Sequence, residues 1–218
     1  MQKVKFRTLY IAPTLILIGL MLLFFTSLIS ATYRSVEFVS AAYTAENQPG
    51  NQFSTIPGIS KDGRYVVFYS NASNIVENDL NSGSDIFVRD LLTHTSTRAS
   101  VASDGTEADC ESLFDSCNIF PSISGNGRYV TFFSLATNLF PGDTDNTVDL
   151  FIHDMQTGET KRIKGALPEG MQKCDDTLAA CSPPAFITYD GHYLVFLSTA
   201  SDLVSGDTNG SPDIFVLD

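Results

Sequence analysis

Three short loops carry the chain's densest oxygen donors: Asp79-Leu-Asn81-Ser-Gly-Ser-Asp85, Asp143-Thr-Asp145-Asn-Thr-Val-Asp149 and Asp207-Thr-Asn209-Gly-Ser-Pro-Asp213. Side chains at alternate positions of a tight loop can converge on one hard cation, and Ca2+ gathers about six to eight oxygen ligands in this way. Asp143, Asp145 and Asp149, with three carboxylates, form the strongest candidate Ca2+ site, and the other two loops offer two carboxylates each. The match to an EF-hand loop is partial. Asp90, Asp154 and Asp218 stand where the closing glutamate would be, but each lies at the far end of a strand, and the glycine is displaced or missing. The same residues also suit Asx-turns that cap their own backbone, so an ion site and a turn are both open. The last aspartate of each loop opens a strand and is expected to hydrogen-bond the turn.

The four cysteines are Cys110, Cys117, Cys174 and Cys181, and each member of the first pair recurs 64 residues later. In an exported chain an even, matched set reads as two disulfides, Cys110 to Cys117 and Cys174 to Cys181. Closing such small loops contributes on the order of 2–3 kcal/mol each. A metal site would want histidine or a second Cys pair close by, whereas His94, His153 and His192 occupy unrelated places in the unit. The sequence holds no Gly-x-Ser-x-Gly, no His-Glu-x-x-His and no phosphate-cradling glycine loop. Asn71-Ala-Ser73 and Asn209-Gly-Ser211 match a short glycosylation pattern, the second followed by Pro212.

These residues sit in a repeat. Ile59-Ser-Lys-Asp-Gly-Arg-Tyr-Val-Val-Phe-Tyr-Ser returns as Ile123-Ser-Gly-Asn-Gly-Arg-Tyr-Val-Thr-Phe-Phe-Ser and as Ile187-Thr-Tyr-Asp-Gly-His-Tyr-Leu-Val-Phe-Leu-Ser, at an offset of 64 both times. Asp85-Ile-Phe-Val-Arg-Asp90, Asp149-Leu-Phe-Ile-His-Asp154 and Asp213-Ile-Phe-Val-Leu-Asp218 keep the register. A fixed period of this kind marks a solenoid or a propeller. Alternating aromatic and β-branched residues predict strands over 65–70 and 85–91, a shorter one over 57–60, and a fourth over 93–100. The Asp62-Gly63 turn joins the first two, glycine supplying the positive φ that a tight hairpin needs. Four antiparallel strands per unit is one propeller blade. Asp62, Asn126 and Asp190 read as turn formers, Arg64 and Arg128 beside them as exposed, and Tyr65, Tyr129 and Tyr193 with Phe68, Phe132 and Phe196 as core. Residues 101–120 and 164–186 are insertions.

The combination Ile-Ser-x-Asp-Gly-Arg-Tyr-Val-x-Phe-x-Ser, Ala-x-Asn-Leu, Asp-x-Asn and Asp-Ile-Phe-Val-x-Asp resembles the WD40-like β-propeller repeat of the TolB type, a bacterial and extracytoplasmic family, over residues 55–218. The resemblance implies an all-β fold of four-stranded blades. It implies a non-catalytic binding scaffold at the cell envelope, with a protein partner. The alternative is the propeller portion of a secreted or membrane-anchored hydrolase whose catalytic part is not in this chain, since the same repeat occurs fused to hydrolases and its fold constrains function little. Two complete units are expected (55–118 and 119–182) and a third that stops short (183–218). Propellers close with about four to eight blades, so the sequence reads as a partial one, with an oligomeric ring as the alternative.

Lys3, Lys5 and Arg7 precede an uncharged run from Thr8 to Tyr33, and Arg34 follows it. Basic residues ahead of an apolar run place its N-terminus in the cytoplasm. Residues 1–34 therefore read as a signal or anchor helix and 35–54 as a linker. The expected location is the cell membrane, single-pass with the repeats outside, or a secreted or periplasmic form after cleavage at small residues such as Ser30, Ala31, Ala41 or Ala42. With 13 basic and 25 acidic residues the net charge is −12, and all four basic residues of the first 34 lie in the segment without acids. A body this acidic repels phosphate backbones, which excludes nucleic acid as a partner.

Overall fold

The computed structural model describes residues 36–81, 83–109, 117–144, 148–163, 185–198, 201, 203–209 and 211–218. Phe38–Asp218 is one compact unit; of the other, Met1–Glu37, only residues 36 and 37 are described. The expected N-terminal helix thus lies outside the described residues, as do Cys110, Cys174, Cys181 and Asp145.

The described chain is all-β and antiparallel. The first sheet holds β3 (Ser54–Ile59), β4 (Tyr65–Ser70), β5 (Asp85–Asp90) and β6 (Thr95–Arg98), in that order. The second repeats it with β7 (Asn118–Ile123), β8 (Tyr129–Ser134), β9 (Asp149–Asp154) and β10 (Thr160–Ile163). The third has β11 (Phe186–Ile187), β12 (Leu194–Ser198) and β13 (Asp213–Leu217). These are the four-stranded meanders the repeat predicts, two complete and one three-stranded among the described residues. A short hairpin, β1 (Ala41–Ala42) and β2 (Ala45–Pro49), precedes them. It falls where the sequence suggests a linker. Ala41 and Ala42 are small enough to be buried there, and Gly50 packs so closely on Ala72 and Ile75 that a side chain would not fit.

Each strand pair is held in one register by the period-2 pattern. Phe68 lies opposite Phe87, Phe132 opposite Phe151 and Phe196 opposite Phe215, with ring centroids 5.7, 5.8 and 5.9 Å apart. The alternate residues Val67, Tyr69, Ile86 and Val88 form the other face and share one core with Val130, Phe132, Phe133 and Phe151 of the second sheet and Leu194 and Phe196 of the third. Burial on both faces is why the middle strands read as nearly continuous apolar runs. Because a one-residue slip would turn every large side chain to the wrong face, this pattern fixes the pairing.

The first hairpin is built identically three times. Asp62, Asn126 and Asp190 accept from the hydroxyls of Ser60, Ser124 and Thr188 and from the N–H groups of Arg64, Arg128 and His192. The glycines that follow, Gly63, Gly127 and Gly191, have φ of 74°, 74° and 79°, where a side chain is strained. Two of them do more. The ring of Tyr65 packs against Gly127, and that of Tyr129 against Gly191, each in the space a Cβ would occupy. Lys61 N–H to Gly125 O and Asn126 N–H to Tyr189 O, both 3.0 Å, join the same turns. Successive sheets are therefore pinned at one end by a tyrosine of one unit and a glycine of the next.

Candidate functional site

The acidic loops come first. Between β5 and the insertion, the side chain of Arg98 at the end of β6 reaches Asp79 at 3.1 Å, Asp85 at 3.5 Å and Glu107 at 2.6 Å. Arg98, Asp79 and Asp85 are almost fully buried, at 6%, 4% and 1% side-chain exposure. Asp85 also accepts from the Ser100 hydroxyl at 2.6 Å, and that hydroxyl accepts from Ile86 N–H. Glu107 takes the N–H groups of Leu80 and Asn81. The loop thus closes on the guanidinium of its own fourth strand.

The second unit repeats the plan. Arg162 on β10 approaches Asp149 at 2.6 Å and Asp143 at 3.4 Å. Two of the three residues of the candidate Ca2+ set therefore share an arginine as counterion, and the third, Asp145, lies outside the described residues. An ion at these carboxylates would have to share them with the Arg162 guanidinium or displace it. Among the described residues no cluster of three His, Cys, Asp or Glu side chains could hold a metal. In the third loop the Asn209 amide donates to Asp213 at 3.0 Å, and Asn209 accepts from Ser211 N–H. We expect equal melting temperatures in millimolar Ca2+ and in chelator for the parent chain, and a Ca2+-dependent rise in Arg162→Met, where the two aspartates lose their counterion. A rise of more than a few degrees in the parent would restore the ion reading.

The last aspartate of each loop was expected to cap its turn. Asp85 does hydrogen-bond its loop, through Asn81, as Asp213 does through Asn209; in the first two units the aspartate also ties the loop to the fourth strand, because a carboxylate at the start of the third strand faces an arginine at the paired end of its neighbour. The signal was present in the sequence, since Arg98 and Arg162 are 64 apart. A second pair of arginines was read as merely exposed. Arg64 donates to Asp90 through Nε and Nη2 at 3.1 and 2.7 Å, and Arg128 grips Asp154 at 3.0 and 2.7 Å. These forks clamp the start of the second strand to the end of the third. The guanidinium hydrogen bonds, with backbone N–H groups behind them, hold the Asp90 and Asp154 carboxyls far below the usual carboxylate range.

Burial pushes the Asp85 carboxyl up from 3.8 to about 6, against the pull of Arg98. Burial would raise Glu107 as well, but the Arg98 guanidinium and the N–H groups of Asn81 and Leu80 outweigh it, and Glu107 stays below its ordinary value. A carboxyl with a raised folded-state pKa binds its proton better in the fold than in the unfolded chain. Its contribution to stability is complete below about pH 4 and is lost as pH rises through about 6. Asp90 and Asp154 act with the opposite sign: their stabilisation is present above the ordinary value and is lost as acid protonates them. Asp85→Asn should therefore lose less stability than the parent on going from pH 4.5 to pH 6.5, read from urea midpoints. Parallel profiles would show that Asp85 titrates normally.

The first strands build a different feature. β3, β7 and β11 are each the edge of their sheet, and together they line a cleft of about 310 Å3 with Ile56, Pro57, Ile59, Phe120, Pro121 and Phe186. The side chains that line it are mostly apolar. The register shifts between Thr55 and Gly58 and between Ile119 and Ser122, and at these matched bulges Ile56 and Phe120 adopt φ of 50° and 52°. A bulky residue in the left-handed region is strained, and the two sites are 64 residues apart. Sequence reading missed this, because nothing in Ile-Pro or Phe-Pro announces positive φ.

Cys117 is buried just ahead of β7; its expected partner Cys110, like Cys174 and Cys181, lies outside the described residues. Asn71 of the first glycosylation pattern is buried as well, at 8% exposure.

No family model matches this chain, and no curated protein does. Solved structures do. TolB from Acinetobacter baumannii is 17% identical over 76% of this chain and 29% of its own, with a TM-score of 0.41. The β-propeller domain of the Trilobed protease from Pyrococcus furiosus is 15% identical over 76% of this chain and 40% of its own, at 0.39. An oligogalacturonate lyase from Vibrio parahaemolyticus is 12% identical over 76% and 35%, at 0.42. The chain thus spans well under half the length of each.

Proposed function

We propose that the chain is a non-catalytic β-propeller-type binding scaffold, held at the outer face of the cytoplasmic membrane by residues 1–34, or released from it by cleavage, with a protein as its ligand. The observation that supports this most is the cleft along β3, β7 and β11. Three strands, each the edge of its own sheet, present apolar side chains side by side, and a strand edge can take up an extended peptide by main-chain hydrogen bonding. The strained bulges at Ile56 and Phe120 hold the edges apart from the regular ladder. The acidic body disfavours nucleic acid, and in an exported chain the cysteines would pair as Cys110–Cys117 and Cys174–Cys181.

Ile59 lines the cleft and is 61% exposed. Replacing it with aspartate should release a co-purifying envelope protein from the full-length chain, while Leu92→Asp, on the β5–β6 turn, should retain it. Equal retention by both variants, or no protein retained by the parent, would remove the cleft from consideration. Fractionation reads the membrane arm: recovery of the repeats in the cytosol would contradict it.

A further inference from the structure

The first two units share their mechanical parts, the forward-reaching tyrosine and the arginine–aspartate fork, yet they differ in what stands beside them. In the first unit Thr95 and Thr97 of β6 lie opposite Asp90 and Val88. The matching places in the second unit hold Glu159, whose carbonyl accepts from Asp154 N–H, and Lys161, opposite Ile152. Those two long side chains pair with each other at 3.2 Å, where the first unit has two short hydroxyls. Beside the short ones a groove of about 390 Å3 runs between the first two units. Buried Val88 and half-buried Tyr65 and Met155 form its floor. Thr95, Thr97, Asn126 and Gln156, all exposed, stand at its rim with Asp90 and Arg128.

The rim holds groups that the fold does not use up. Arg128 gives Nε and Nη2 to Asp154, which leaves Nη1. Asn126 engages its amide oxygen in its own turn, which leaves the amide nitrogen. Asp90 Oδ2 accepts from Arg64 and can accept once more. Thr97 and Gln156 add a hydroxyl and an amide, each able to donate and to accept. The charges of the rim are already neutralised, Asp90 by Arg64 and Arg128 by Asp154, so the groove has no net charge with which to hold an ion. We propose that this groove binds a neutral sugar ring, at a place separate from the cleft of β3, β7 and β11. A pyranose has adjacent hydroxyls that each donate and accept, which suits the mixed rim, and an apolar C–H face, which suits Tyr65, Val88 and Met155. The groove's volume lies in the range of small-molecule sites, about 300–1,000 Å3. In the second unit the Lys161–Glu159 pair stands at the matching place, so the site is expected at the first junction and not at the second.

The test uses the full-length chain in a detergent without a sugar headgroup, with maltose, cellobiose and di-N-acetylchitobiose as probes at about 10 mM. Saturation-transfer NMR should show at least one of them bound. Thr95→Glu combined with Thr97→Lys, which copies the second unit's pair into the first, should abolish the signal. Gln156→Leu, in the exposed turn after β9, should weaken binding about fivefold, the loss of one hydrogen bond. This single variant guards against misfolding of the double one. Ile59→Asp in the cleft should leave the signal unchanged, so the groove and the cleft stand or fall separately. Transfer to none of the three sugars, an undiminished signal in the double variant or in Gln156→Leu, or tighter binding of digalacturonate than of the neutral probes would overturn the proposal.

Discussion

Arg98→Met should cost roughly 3–5 kcal/mol of stability near neutral pH, the penalty typical of removing one partner from a buried ion pair. Arg98 stands between Asp79, Asp85 and Glu107, and its loss leaves two nearly buried carboxylates facing one another without a counterion. A shift in the urea midpoint at unchanged slope would measure it. Adding Asp85→Asn to Arg98→Met should return a large part of the loss, because the more deeply buried of the two orphaned charges, and its repulsion with Asp79, is then gone. Arg98→Lys should fall between parent and methionine, since an ammonium cannot span three acceptors as the planar guanidinium does. A loss below about 1 kcal/mol for Arg98→Met would mean that water reaches the loop and the cluster is no more than a surface pairing.

The second large effect is expected at Gly127, and its control lies within the same chain. Gly63 and Gly127 share φ of 74°, so alanine at either position meets the same backbone strain, about 1–2 kcal/mol. At Gly63 nothing lies within 4 Å of the new Cβ, whereas at Gly127 the methyl would enter the ring of Tyr65. The added overpacking is worth about 1–3 kcal/mol. Gly127→Ala should thus lower stability by roughly twice as much as Gly63→Ala. In Tyr65→Ala, where the ring is gone, the two alanines should cost the same. Chemical denaturation of this small set isolates the contact, and equal losses in the parent background would show that the sheets are not pinned there.

The sequence made legible what every unit has in common. The 64-residue offset located the strands, Asp62-Gly63 and its copies located the hairpins, and the Phe at the third position of β5, β9 and β13 marked the core. What it left unread are relations between positions. Nothing about Tyr65 in isolation says that it rests on Gly127, because that contact joins residues whose alignment depends on how one sheet faces the next. Arg98 and Arg162 could have been found from their spacing, but an arginine at the end of a short polar strand looks solvent-exposed until the fourth strand is laid beside the third. The stretch 41–49 has the polar, Gly- and Pro-containing neighbourhood of a linker, and it is Ala41 and Ala42, too small to raise a hydrophobic signal, that anchor it. The acidic loops show the converse. Aspartates at alternate positions suggest a cation, and in the first two loops an arginine from the fourth strand stands beside two of the carboxylates, a contact that alternation alone does not announce.

The tyrosine–glycine pin also bears on how such a chain can change length over generations. Its two halves come from successive units, yet every repeat carries one of each kind: the tyrosine that goes forward and the glycine at the position that receives from behind. A tandem copying event inserted in register therefore delivers both halves together and creates a complete new junction without any compensating change elsewhere. A partial copy that separates Tyr from Gly would leave one junction unmade. The number of units is in this sense free to drift by whole repeats while the composition of each junction is held fixed, and the retained 64-residue offset is what that constraint would leave behind.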